Sequence, residues 1–503
     1  MGFMNKVALA VAPAWAARRE RSRLVAMHYR AARLGQRSDS LRPTNSDANV
    51  AGQARQRVSQ YMRDLVRNAP FAARAQAVIA NNVVGDGIIP KVTMNAQVAD
   101  RDLGQRLKDR GMHHIETSLD TVHIDKKGLQ NLYGLQRQVI NTVVESGEAL
   151  IRRHKLPVEN GAGLPLKIEV LEPEYLDSGR MWAGEGENIV RDGIEYDPVG
   201  NRVAYWLFSQ HPGGEFVPSK SQITSVRVPA DEIIHVFRPD RPGQDRGMSW
   251  LAPVAEKMLM LDDYEDAQLM RQRIAACFAA FRKTGPDAKA SPEISKTLVP
   301  GTIVDIGPEE DVVFAAPPTA SGDDQFKGTI LRGIAMGLGI SYEALTGDLS
   351  GVNFSSARIG RLEMDRNVSS WQWLMMVPQM LQPLGCWIME AWAEYEAQTR
   401  EIKDLPLGDF IDGGGLVLTW VPPVRLMIDP SGEFAAFNTA VRSGFMSRQG
   451  VVRTTGIDPE RLMQEQYQDM READELGLIF DSDPRKDISR QILSEQAERA
   501  RNE

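Results

Sequence analysis

Along much of this chain apolar residues return every three or four positions, the period of a helix that buries one face. Between Val50 and Val84 the positions Val58, Tyr61, Met62, Leu65 and Val66 keep that spacing. Asn68-Ala69-Pro70 breaks it, and a second helix is expected through Ala80, closed by the glycines of "GDGIIP" (Gly85 to Pro90). Residues 100–121 and 127–146 read as two further helices. The period then changes. "EALIRRHKL", "LKIEVLEPEYL", "GIEYDPVGNRVAYWLF" and "DEIIHVFRP" are short, turn-bounded and rich in β-branched and aromatic residues. "DPVGN" is a hairpin-like turn, so residues 147–238 form a mostly β segment.

A helical pattern resumes at Ser249, placing Leu251, Val254, Met258, Leu261, Ile274, Phe278 and Phe281 near one face. An acidic patch of Asp262, Asp263, Glu265 and Asp266 interrupts it. Residues 284–323 are punctuated by prolines around strand-like "GTIVDIG" and "DVVFAA", which suggests a small α/β insertion. Helix returns at Gln325 with Ile330, Ile334 and Leu338 in register. Next comes the polar "LTGDLSGVNFSSARIG" (Leu345 to Gly360), and then a long helix from about Phe354 to Tyr395 in which Pro378 and Pro383 are expected to introduce kinks. "LVLTWVPP" (Leu416 to Pro423) is a strand candidate. The last eighty residues are helical and charged, and no solenoid-type repeat occurs.

Composition narrows the class. The chain has 503 residues, room for three or four domains, and its 42% hydrophobic and 25% charged content is that of a globular protein. Two distant cysteines, Cys277 and Cys386, exclude a disulfide framework and a four-cysteine zinc site, and fit a reducing compartment. No apolar run is long enough for a membrane-spanning helix. The start mimics a signal peptide, but Pro13 breaks its apolar run and arginines stand where cleavage would occur. Charge is uneven. Lys6, Arg18, Arg19, Arg21, Arg23, Arg30, Arg33 and Arg37 face Glu20 alone within residues 1–37, while the whole chain carries −8. A basic arm (1–48) thus precedes an acidic body. The arm suits an acidic partner or nucleic acid, or is simply a solvated terminus. The acidic body does not suit a tight DNA binder.

Candidate chemistry is sparse. "HHIETSLDTVHID" gathers His113, His114, Glu116, Asp120, His123 and Asp125, enough ligands for a metal-dependent hydrolase. Their spacing is poor: His114 and His123 point apart on one helix, and no HExxH is present. There is no phosphate loop and no GxSxG, and the glycines of "GIAMGLGI" end a helix rather than open one after a strand. Cys277, in "AACFAAF", reads as a small buried residue. Glu148, in "ESGEAL", reads as a possible buried acid that nothing nearby in sequence pairs. Trp371 to Tyr395 is aromatic-rich without a single Lys or Arg, a packing face rather than a base-stacking platform. No catalytic set emerges, and neither enzyme activity, metal nor cofactor is expected.

Several blocks, in order, resemble the lambda-type family of tailed-bacteriophage portal proteins: "YRAARLG", "RDLVRNAPFAARAQAVIANNVVGDGIIP", "ESGEAL", "EPEYLDS", "DEIIHVFRPDRPGQDRGMSWLAPV", "PGTIVDIGPEEDV" and "GIAMGLGISYEALTGDLSGVNFSSARIGRLEMDR". The similarity runs from about residue 25 to 480. The last block is the most specific, and Phe354 stands where a Tyr is common. The extreme N-terminus matches poorly, and members can lose an N-terminal segment during head maturation.

The resemblance implies an α+β, mainly helical portal-type fold with a β-rich wing, assembled as a ring, usually of twelve subunits, at one capsid vertex. It implies a basic arm at 1–48, a wing at 49–250, a stem helix at 251–283, a clip at 284–323 and a second stem helix at 324–340. A tunnel loop would follow at 341–353, then a long kinked helix and returning wing strand at 354–424, and a helical crown with a charged tail at 425–503. The implied function is a conduit for double-stranded DNA, without sequence readout, during packaging and ejection, and a platform for head–tail joining. The implied partners are other copies of the chain, the terminase large subunit, the major capsid protein and head–tail connector proteins. The implied location is the virion, with the host cytoplasm during assembly. A shorter virion component such as a connector is the other structural reading, disfavoured by length.

That setting gives the polar loop a purpose. From Ser341 to Asn353 there is no Lys or Arg, and the charges are Glu343 and Asp348. Each phosphate neutralised by a cation adds affinity and so acts as a brake on sliding DNA. The expected channel-lining residues are Glu343, Thr346, Gly347, Asp348, Ser350, Gly351 and Asn353, with Gly347 and Gly351 supplying backbone freedom. Asn353 or Ser355 is the expected cap of the following helix.

Overall fold

The computed structural model describes residues 47–49, 52–94, 101–159, 161, 163–180, 182, 187–214, 224–276, 280–283, 303–306, 323–351, 353–399, 415–423, 429–455 and 459–478. Residues 1–46 of the basic arm, nearly all of the proline-rich insertion, Cys277, Phe278 and the charged tail lie outside them. Two compact units result: residues 1–51 with Arg241–Asp245, and Gly52–Asp240 with Arg246–Glu503. In the first, the Asn49 amide donates to the Gly243 carbonyl (2.8 Å) and accepts the Asp245 N–H (2.8 Å).

The second unit opens with α1 (Gly52–Asn68) and α2 (Pro70–Val83). Pro70 sits in the first turn of α2, where its missing N–H costs nothing. Met62 and Leu65 are buried as the period predicts, but Tyr61 is 62% exposed. The inward side of α1 also carries Arg55 and Ser59, which meet Asp192 and Glu174. Helix α3 (Arg101–His114) widens into a π turn at Ile115–Leu119. Helix α4 (Leu132–Ser146) starts five residues later than the expected 127, because Asn131 caps it by accepting the Gly134 N–H and Asp125 holds the preceding loop.

Strands follow where β-branched runs stand. An antiparallel sheet takes β2 (Glu148–Lys155) at its centre, flanked by β3 (Leu166–Leu171) and β8 (Ile233–Phe237). A second, four-stranded meander joins β4 (Ile189–Arg191), β5 (Ile194–Tyr196), β6 (Arg202–Phe208) and β7 (Ser225–Pro229). Leu150, Leu171, Tyr205 and Val228 form the small core that the two sheets share. A strand absent from the sequence reading, β1 (Ile89–Met94), pairs antiparallel with β11 (Leu416–Val421), matching Thr93 to Val417 and Lys91 to Thr419.

Helix α5 spans Ala255–Ala276, and Ala280–Lys283 (β9) is strand, paired in parallel with Ile303–Ile306 (β10). The expected helix to 283 therefore ends early: a sheet partner some twenty residues on supplies hydrogen bonds that the helical period does not foresee. Helix α6 covers Asp323–Leu338, and α7 is five residues, Tyr342–Thr346. Helix α8 (Phe354–Trp371) runs through ten π-helical residues, Gln372–Leu381, into α9 (Gln382–Thr399). Pro378 lies inside the π stretch. Its ring cannot fit a tight α-turn, and the wider winding accommodates the lost N–H. Three helices, α10 (Pro430–Arg442), α11 (Arg448–Thr454) and α12 (Pro459–Leu476), follow. The main core joins α2, α4, α5, α6 and the helix from 364 to 395 around Ile79, Trp250, Ile334 and Met376.

Candidate functional site

The polar loop is a punctuated structure. After α6, the Asn367 amide of α8 donates to the Gly339 carbonyl (2.9 Å) and ties the start of the loop to the long helix. Ser341 then caps α7 by accepting the Ala344 N–H. Leu345, 1% exposed, plugs α7 into the core, and Arg74 of α2 donates to the Ala344 carbonyl (3.1 Å). Gly347 ends α7 at φ +74°, its N–H on the Glu343 carbonyl. A Cβ at Gly347 would touch nothing, so backbone conformation rather than space favours glycine there.

Two of the seven candidates, Glu343 and Thr346, therefore sit half-buried on a docked helical turn, with the Thr346 hydroxyl donating to the Tyr342 carbonyl. Gly347, Asp348, Ser350, Gly351 and Asn353 lie on an exposed arch. Gly351 has no left-handed φ. Asn353 occupies the position before Phe354, the first residue of α8.

Asp348 organises the arch. Its Oδ1 accepts the Ser350 hydroxyl (2.6 Å) and the Ser350 N–H (3.0 Å), and Oδ2 accepts the Tyr342 hydroxyl (3.3 Å). The Ser350 hydroxyl first, then its N–H, hold this carboxyl below the usual aspartate range, so it stays ionised. Sequence reasoning missed Arg332 of α6. Its guanidinium stacks 4.8 Å over the Tyr342 ring and adds to the pull on Asp348. The arch is cation-free along the chain but has one arginine beside it in space.

The histidine-rich segment is dispersed. His114 is buried against Trp392 and Tyr395, its Nε2 3.3 Å from the Glu396 carboxylate that also accepts from Arg110 (2.7 Å). Burial pushes the His114 pKa down. His123 bonds the Leu164 carbonyl, Asp120 accepts the Tyr133 hydroxyl, and Asp125 accepts the N–H groups of Lys127, Leu129 and Gln130. His113 and Glu116 are exposed. His114, Asp120, His123 and Asp125 serve separate structural tasks, and the six side chains do not converge on one point.

Among the described residues one group does bring metal-ligating atoms together: Glu172, Glu174 and His211. Arg63 already occupies it, 3.0 Å from Glu174 and 3.5 Å from Glu172, with Glu145 on its other side. The His211 Nδ1 accepts the Gly213 N–H (3.0 Å), and its Nε2 lies 3.1 Å from the Glu172 carboxylate. The arrangement is an ion-pair network.

Glu148, unpaired in sequence, proves to be a buried hub. Arg246 Nε lies 2.8 and 2.9 Å from its two oxygens, Gly247 donates its N–H (2.9 Å), and His235 Nε2 is 2.9 Å away. Burial alone would raise this carboxyl; Arg246, then His235, override it and hold it well below the usual range. Burial lowers His235, which stays neutral and donates. Arg246 also donates to the Asp192 carbonyl (2.8 Å), locking the β4–β5 turn to the hub. Glu148 falls in one of the blocks that carry the family resemblance, and His235 and Arg246 fall together in another.

A family model described as phage portal protein, lambda family, matches residues 34–372. The probable portal protein of Halomonas phage phiHAP-1 is 26% identical over 444 residues, 83% of this chain and 81% of that protein. Portal protein B of Escherichia phage lambda is 24% identical over 336 residues, 59% of this chain and 60% of that protein. Among solved structures, a chain in the neck of a native gene transfer agent particle, computed with C12 symmetry, is 15% identical; the match covers 87% of this chain and 99% of that one, with a TM-score of 0.41.

Proposed function

The chain belongs to the lambda family of phage portal proteins, and on that premise we propose that its copies close into a ring, of the twelve-subunit kind usual in the family, through which double-stranded DNA enters and leaves the capsid. The arch Gly347–Asn353 lines the channel in this reading. The observation that carries it is the arch itself: exposed, ionised at Asp348, without Lys or Arg of its own, and mounted on a base anchored by Leu345 and the Asn367–Gly339 bond. Such a rim centres a polyanion by repulsion, screened within about 8 Å at physiological salt, and does not grip it.

The ring occupies one capsid vertex in the virion and assembles in the host cytoplasm. Its partners are the major capsid protein around it, the terminase large subunit during packaging, and connector proteins afterwards. No enzymatic step, metal or cofactor enters the proposal.

Purified full-length protein tests the reading. Twelve copies of a 55.9 kDa chain give a particle of about 670 kDa. Negative-stain images down the symmetry axis should show a ring with a central hole. A 55.9 kDa monomer at every concentration and salt would overturn it.

A further inference from the structure

Two helices of the second unit each expose a long stripe, and the stripes carry opposite charge. In α5 the four consecutive apolar residues Met258–Leu261 circle the helix, so one side cannot bury them all. Met258 and Leu261 enter the core, while Leu259 is 55% exposed. Counting on from Leu259 by four, seven and eleven gives Asp263, Asp266 and Met270, all exposed along one side. The stripe is apolar at both ends and doubly acidic between.

The second stripe lies on α8 and the start of the π stretch. Ile359, Leu362, Arg366 and Trp373 fall at intervals of three, seven and fourteen from Ile359, again along one side. Ile359 is 67%, Leu362 53% and Trp373 52% exposed. Arg366 is exposed within the stripe, and the exposed Arg358 lies one turn before Leu362. Two acids border it, the exposed Glu363 and the half-buried Asp365. Among the described residues no ion pair reaches Asp263, Asp266 or Arg366.

The charges decide what covers these stripes. A two-fold contact centred on either stripe would bring that stripe onto itself, acid on acid or arginine on arginine. An acidic stripe and a basic stripe on different helices of the same chain instead favour a head-to-tail contact, the type that closes into a ring. Apolar ends supply contact area and the central charges fix register.

We propose that the acidic stripe of α5 on one copy seats against the Arg366 stripe of α8 on the next, forming the contact that repeats around the ring. This rests on the ring reading above and assigns the surfaces that make it.

Charge reversal in the full-length chain tests it, because these exposed side chains contribute little to folding of the single copy. Asp263→Arg/Asp266→Arg and, separately, Arg366→Asp should each cut the ring fraction at least about tenfold in light scattering and negative stain, with unchanged circular dichroism. The two variant chains mixed should form rings again, since each then offers the other an opposite partner. Loss should deepen with salt in the mixture, as the contact is charge-guided. Rings from either variant alone at wild-type yield would overturn the assignment and leave the portal reading standing, as would folded variants that stay monomeric when mixed. Absence of rings from the unaltered chain would remove both.

Discussion

Glu148 and Arg246 meet side chain to side chain although they stand 98 residues apart, with 0% and 3% of their side chains exposed. Their contact fastens the start of β2 to the chain that leads into α5. It is backed by a second one: Gly147, at φ +96°, and Gly247 pack backbone to backbone, and the Trp250 backbone N–H donates to the Val144 carbonyl (3.1 Å). The acid, the arginine and the two glycines form one joint between the sheet region and the helix that follows.

Breaking that pair from one side should be costly. Glu148→Ala leaves a buried guanidinium that has lost its carboxylate, with the Asp192 carbonyl and Ser178 among its remaining partners, and a penalty of about 3–5 kcal/mol is expected. Chemical denaturation of the variant should show it as a lowered midpoint. The double variant Glu148→Leu/Arg246→Met should be less destabilised than the sum of the singles, because no unpaired charge remains inside. Additive losses would mean that the two groups do not act as a pair.

Acid should destabilise the fold, in part through this joint. His235, His114 and His154 all have pKa values pushed below the ordinary 6.5, chiefly by burial, so the unfolded chain takes up protons that the folded chain refuses. Stability is then lost as pH falls below about 6.5. Glu148, held far below its ordinary 4.5, adds a second loss as pH falls below that value. Thermal melts from pH 8 to 3 should show Tm declining in both windows. His235→Gln keeps a donor for Glu148 and removes one titration, so its decline between pH 6.5 and 5 should be shallower.

The glycine pair gives a steric test. A Cβ at Gly147 would collide with the Met248 backbone, and its left-handed φ adds about 1–2 kcal/mol for an L-residue. Gly147→Ala should therefore prevent stable folding or lower Tm sharply. Gly360, with no atom near its missing Cβ and an ordinary helical backbone, is the control. Gly360→Ala should stay within about 0.5 kcal/mol of the parent, or gain slightly from better helix propensity.

Local chemistry made much of this fold readable, and long-range pairing hid the rest. The proline break at 68–70, the strands at 148–155 and 233–237, and the Asp197 turn all follow from period and turn residues, and all appear. Strand β1 was invisible because Pro90 argues against a strand, yet on a two-stranded edge pair its missing N–H can face away from the partner. Arg332 was invisible at the loop because it lies sixteen residues before Asp348 on another helix. The short α7 was legible in principle: Ser341 as cap and Gly347 as C-terminal stop are a complete pair of helix signals, overshadowed by the polar composition around them. Glu148 shows the limit, since an acid in sequence does not reveal which distant arginine it will meet.

The arch supplies the last prediction. Asp348 gives the rim its charge, and its carboxylate also fixes Ser350 and meets Tyr342. Asp348→Asn keeps an acceptor oxygen for Ser350 and removes the charge, whereas Asp348→Lys reverses the charge and sets a second cation near Arg332. In a ring, each lysine adds a site where phosphate displaces counterions, and the drag should grow as salt falls. Packaging by particles carrying Asp348→Lys should slow or stall, Asp348→Asn should lie between it and the parent, and both should form rings normally. Raising salt should recover part of the lysine variant's rate relative to the parent at the same salt. Equal packaging rates for all three chains would place this arch away from the DNA.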